Sequence, residues 1–269
     1  MIITIMVAGI FIRCDDESSQ QRDSLAKHTG IIRKFDYSNQ GLTSIPDEIF
    51  NVPYSSHITE INLQRNKIHK LPSRIGNLQR LGKLYVNDNK ITFLPKEIGK
   101  LLQLWDLDVS NNNITWLPME IGNLRSLFRL KINNNNLRRL SVNMEKMLSL
   151  HELHAECNKL RTLPNTFRKF LNLGKLYLRN NLFEEIPEVI CRMHYLEKLD
   201  MRDNKIQRLS RKIVERLFDH EMLEKIDLRG NDLKRESDSE WVGWEELEKL
   251  FKDQVLLSQL GRPGIDDVE

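Results

Sequence analysis

The sequence is poor in what would make it a disulfide scaffold, a membrane-spanning protein or a nucleic-acid binder. Three cysteines in 269 residues cannot frame a disulfide-rich fold. The most apolar run, Met1 to Ile12, falls short of the roughly 20 residues that a bilayer-spanning helix needs. Neither sign of charge dominates. The 41 Lys and Arg against 38 Asp and Glu leave a net +3, the basic residues are not gathered into one run, and nucleic acid is not an expected partner. The 12 glycines build no phosphate-cradling loop. A nucleophile elbow and paired buried carboxylates are missing too, so we expect no enzyme, no cofactor and no small-molecule substrate.

What is present is repetition. Asn66, Asn89, Asn112, Asn135, Asn158, Asn181 and Asn204 stand 23 residues apart, each at the ninth place of a common skeleton. The stretch Leu104 to Pro118 shows that skeleton: apolar residues at places one, four, six and eleven, the asparagine at nine, then Leu-Pro. An earlier copy from Ile32 to Pro46 has Gln40 in place of the asparagine, and a later copy from Leu223 to Leu233 has Asn231, making nine copies over roughly residues 31 to 235.

Side chains of a strand alternate, so L-x-x-L-x-L puts Leu107 and Val109 on one side and Asp106 and Asp108 on the other. A single unit cannot cover its own apolar face. Successive units must stack, with strands paired in parallel and the asparagines forming a ladder that satisfies backbone groups freed at the turn. The return segment L-P-x-x-I-G-x-L, seen from Leu71, Leu94 and Leu117, pairs a turn-fixing proline with apolar residues at the spacing of a short helix or 3₁₀ segment. Together these units resemble the bacterial and Ras-suppressor-like class of leucine-rich repeat proteins, with 23-residue repeats and this return. The resemblance covers about three quarters of the chain. It implies an α/β fold: a curved solenoid, its parallel sheet on the concave face and its short helices or 3₁₀ turns on the convex one. It is specific for the scaffold and weak for what the scaffold holds.

The ends divide the chain into a leader and cap at 1–30, the repeats at 31–235, a helical cap at 236–260 and a disordered tail at 261–269. Cys14 follows an apolar run and precedes Asp15 and Asp16, an arrangement that resembles the lipidation site and surface-export signal of Bacteroidetes lipoproteins. Arg13 stands where a small residue is expected, and no basic residue precedes the run. A lipid-anchored bacterial surface protein and a cytoplasmic protein therefore both stay open, with membrane contact only through such an anchor. Cys157 and Cys191 fall on different sides of a coil and are expected as free thiols. Arg22 to His28 is a candidate front helix. Trp241, Trp244, Leu247, Leu250 and Phe251 space an amphipathic cap over Glu240 to Phe251.

Equivalent places in successive copies become columns about 5 Å apart along the concave face. Trp105, Phe128 and His151 follow one another at place two, with Tyr85, Asp108, Lys131, His154 and Tyr177 at place five. Water-facing strand positions carrying that many aromatics suggest a hot spot for a protein partner; packing of large side chains on rim loops is the plainer account. Arg179, Arg202 and Arg229 form a column at place seven beside Lys175, Lys198 and Lys225, with Asp200 and Asp227 between them. That grid reads as a salt-bridge ladder or as a docking patch for an acidic segment. The segment His151 to Cys157 holds zinc-binding residue types, but histidines three apart on a strand diverge, so no metal site is expected. The expected function is non-enzymatic protein binding on the concave face. The alternative is a passive scaffold that works through its caps or convex arc.

Overall fold

The structure, a computed structural model, describes residues 6–7, 10–11, 34–51, 55–218, 220, 222–234 and 241–242. Nine three-residue strands form one parallel sheet: β3 (Lys34–Asp36), β4 (Glu60–Asn62), β5 (Lys83–Tyr85), β6 (Asp106–Asp108), β7 (Arg129–Lys131), β8 (Glu152–His154), β9 (Lys175–Tyr177), β10 (Lys198–Asp200) and β12 (Lys225–Asp227). Register is set by equivalence. Leu107 lies opposite Leu84 on one side and Leu130 on the other, and every neighbouring pair repeats this alignment. The central residue of each strand is buried, as are, from the second copy on, the apolar residues at places one, six and eleven, so the leucines make one continuous core along the stack. Each such side chain contributes about 1.5–3 kcal/mol through burial alone.

On the outer arc, 3₁₀ turns Ser73–Asn77, Lys96–Lys100, Met119–Asn123, Val142–Lys146, Asn165–Lys169 and Glu188–Arg192 close the coils. Proline precedes five of them, its fixed φ suited to the entry. Ser141 takes the proline's place before Val142–Lys146 and caps that turn instead, its side chain accepting from the Asn143 N–H.

The asparagine spine forms as the sequence implies. Asn112 Nδ2 donates to the carbonyls of Val109 and Ser110 in its own copy and Val86 in the one before, at 3.0–3.1 Å. Its Oδ1 accepts from the Ile91 N–H at 2.9 Å. Asn89, Asn135, Asn158, Asn181 and Asn204 repeat this set. Gln40, in the first copy, is exposed.

Place eight carries a constraint that the apolar pattern does not show. Asn39, Arg65, Asp88, Asn111, Asn134, Cys157, Asn180 and Asp203 all have φ between 52° and 56°, and Gly230 stands at 70°. Here the chain turns out of the strand through the left-handed region, which Asn, Asp and Gly adopt most easily. Arg65 and Cys157 lack that ease. Cys157→Asn is expected to raise stability by about 0.5–1 kcal/mol, or about 1–3 °C in melting temperature; an unchanged or lower midpoint in a thermal melt counts against a conformational cost there. Cys157 and Cys191 are free thiols, as expected from their places, and burial raises the Cys191 thiol above its usual range.

At the C-terminal end the eighth coil returns through a true helix, Arg211–Phe218, with Ile213, Val214 and Leu217 buried. Leu209–Ser210 (β11) before it pairs antiparallel with Trp241–Val242 (β13). The start of the cap expected as a helix from Glu240 is thus extended at these two residues. Trp and Val favour the pleat, Val242 is 1% exposed, and the pairing satisfies backbone groups of β11. The rest of that cap, the candidate front helix and Cys14 lie outside the described residues. Near the start, Met6–Val7 (β1) and Ile10–Phe11 (β2) pair antiparallel. Among the described residues no helix is long and apolar enough to cross a membrane.

Candidate functional site

The concave face is set by where each copy enters its strand. Place two lies one residue before the strand, and its carbonyl receives two donors from the next copy: the N–H groups of Phe128 and Arg129 both donate to Trp105 O, at 2.9 and 3.1 Å. The side chain at this place is therefore held at the rim, rung by rung. Trp105 is 39% exposed and Phe128 42%, on adjacent rungs.

The two rings take different supports. The indole leans back over Gly82, where an added Cβ would come within 3.0 Å of the Trp105 Nε1, so the missing side chain is what makes its berth. Lys83 Nζ sits 5.2 Å from the centre of that ring, a cation over a π face. Phe128 instead stacks on His151, centroids 4.3 Å apart, and His154 stacks on Tyr177 at 4.5 Å. His151 Nδ1 lies 2.7 Å from the Ser149 carbonyl, which can only accept, so that nitrogen carries a proton. β8 begins at Glu152, leaving His151 outside the strand, and the two imidazoles stack on different neighbours.

The acidic residues at the centre are not the solvent-facing slots that alternation alone implies. Asp106 is 1% exposed and Asp108 9%. Longer side chains from both adjoining rungs fold over Asp106: Arg129 grips its carboxylate through Nε and Nη2, at 3.1 and 2.5 Å, and the Tyr85 hydroxyl donates to it at 3.0 Å. Burial, then the Asp106 charge, pushes the Tyr85 hydroxyl well above its ordinary pKa, so it remains a donor. Asp108 accepts from the Ser110 hydroxyl at 2.6 Å and faces Lys131 Nζ at 3.5 Å. Two rungs on, Lys175 donates to Glu152 at 2.6 Å, which holds that carboxyl below its usual range. His154 lies 3.3 Å from Glu156.

The basic stripe is internally matched. Arg202 is bidentate to Asp200 at 3.0 and 2.7 Å, Arg229 to Asp227 at 3.0 and 2.9 Å, and Arg179 donates to Asp203 at 2.6 Å. Asp200 and Asp227 stand where the columns place them. The partner Asp203 belongs to place eight, which the sequence reading did not connect with this stripe. Also missed were the burial of Asp106 and the bond from Tyr85. A signal for both existed: Asp106 and Arg129 face each other at place three of adjoining rungs, and Tyr85, at place five of the rung before, lies diagonal to Asp106.

The structure thus brings Tyr85, Trp105, Asp108, Phe128, Lys131, His151, His154 and Tyr177 into one central field, with Arg179, Arg202 and Arg229 as a separate run toward the C-terminal end. Compared with known proteins, the chain matches the family described as leucine-rich repeat region over residues 55–161 and again, overlapping, over 96–261. No curated protein matches it. A match spanning more than half of the chain, on a ladder of nine equivalent strands, shows that the chain belongs to the leucine-rich repeat family.

Proposed function

We propose that the chain is a non-enzymatic module that captures a protein partner on the concave face, centred on Trp105 and Phe128. The carrying observation is their exposure: two large rings stand about two-fifths open to water on consecutive rungs, beside carboxylates that are already satisfied. Rigid aromatic side chains lose little entropy when covered and dominate binding hot spots. The mutually bonded Asp106, Arg129 and Tyr85 hold the adjoining part of the face in place, so a partner meets a preformed surface.

Trp105→Ala and Phe128→Ala are each expected to weaken partner capture by about tenfold or more while leaving the melting temperature nearly unchanged. The check compares proteins retained on immobilised parent and variant chains, with thermal melts alongside. Equal retention, or melting temperatures that fall in parallel with retention, defeats the reading. A passive scaffold is the second reading. It is favoured by the C-terminal stripe, whose guanidinium groups are engaged within the chain.

A further inference from the structure

A second aromatic pair stands on another side of the coil, on the connection between the asparagine and the 3₁₀ turn. Place eleven is buried there and places twelve and thirteen face outward, so a large apolar side chain at thirteen has no core to join. Phe93 and Trp116 occupy this place on consecutive rungs, 40% and 58% exposed, their rings parallel within 6° and 6.3 Å apart. Met119, at the start of the adjoining turn, is 67% exposed and extends the apolar surface. This is more open than the concave pair, and no leucine of the repeat pattern requires it.

At places twelve and thirteen of the adjoining rungs the charges have one sign, while Glu97 and Glu120 stand in the 3₁₀ turns that follow. Lys70 holds the same place one rung before, and Arg138 and Arg139 lie one rung after, all exposed. Among the described residues none of these three makes an ion pair. Arg161, a rung further, is by contrast engaged by Glu184 at 2.8 Å. An exposed stacked pair bracketed by cations without counter-charges calls for a ligand that is both negative and apolar. We propose that this flank is a second docking surface, for an extended acidic protein segment carrying aromatic or apolar side chains. The cations bracket the rings at either end and do not run beside them as a phosphate track would, and the rings stack on each other without an open slot for a base, so a peptide suits the site better than a nucleic-acid strand. The surface is independent of the concave-face reading.

The test uses the full chain and fluorescence anisotropy of a short labelled peptide of alternating Glu and Phe. A Glu and Gly peptide and an oligothymidylate serve as comparisons. The Glu and Phe peptide is expected to bind about tenfold more tightly than either, and Trp116→Ala or the pair Arg138→Glu and Arg139→Glu to weaken it by about tenfold. The concave variants Trp105→Ala and Phe128→Ala are expected to bind it as the parent does. Thermal melts accompany each variant. If Trp116→Ala melts early, the charge-reversal pair, on exposed side chains, carries the decision. Absence of peptide binding, binding indifferent to both flank variants, loss of binding in the concave variants alone, or tighter binding of the oligothymidylate each overturns the proposal.

Discussion

Asn112→Ala is expected to lower the stability of the chain by about 3–5 kcal/mol, because it leaves several buried backbone groups without partners at once. The side chain satisfies the carbonyls of Val86, Val109 and Ser110 and the N–H of Ile91, and alanine reaches none of them. Two of these groups, on Val86 and Ile91, belong to the preceding copy. The loss therefore falls on the joint between copies as well as within one. In a repeat array a weakened joint permits partial unfolding on either side. Urea denaturation should show an earlier and broader transition, and amide exchange at Ile91 should rise first. Gln40→Ala is the matched comparison: the residue holds the same place in the first copy but is exposed, and a change below about 0.5 kcal/mol is expected. Similar losses in the two variants would refute the role given to the spine.

The second large effect belongs to the outer arc. Gly122→Ala places a Cβ 2.0 Å from the Asn143 carbonyl oxygen, and Gly99→Ala places one 2.4 Å from the carbonyl of Glu120. Both obstacles are backbone, so relief requires neighbouring turns to move apart. We expect Gly122→Ala to cost about 3 kcal/mol, at the upper end of overpacking changes. At Gly174, an added Cβ meets only the Glu197 side chain at 3.5 Å, so Gly174→Ala is expected to be mild. Equilibrium unfolding of the two variants makes the comparison; equal destabilisation would show that close approach of the turns is not what selects glycine at 122.

The place held by Gly76, Gly99 and Gly122 passes to Glu145, Arg168 and Cys191 in the later copies. The I-G-x-L return is thus a packing device between adjoining 3₁₀ turns in the second to fourth copies.

Much of this was legible beforehand, for a physical reason. A core shared by stacked copies forces the same residue type to the same place, so Leu107 or Asn112 could be assigned from periodicity alone. The concave columns were legible too, and Trp105 and Phe128 stand on adjacent rungs. What periodicity does not encode is where a long side chain goes after leaving the backbone. Arg129 and Tyr85 converge on Asp106 from opposite rungs and bury it, though alternation marks that place as open. Trp105 turns back because Gly82 is empty beside it, while Phe128 turns to His151. The left-handed backbone at place eight was hidden for another reason: Arg65 and Cys157 interrupt what is otherwise a column of Asn, Asp and Gly.

The spine also sets where the chain can vary in length. Asn66 follows Gln40 by 26 residues and Asn231 follows Asn204 by 27, yet both keep their bonds to the copy before, to Tyr37 and Leu42 in one case and Met201 and Ile206 in the other. The surplus is absorbed after the asparagine, where helix Arg211–Phe218 replaces a 3₁₀ turn. From the strand to the asparagine no copy gains or loses a residue. Insertions and deletions are therefore permitted on the outside of the curve and forbidden on the inside, which lets the rim diversify while the ruler that spaces the inner columns stays fixed.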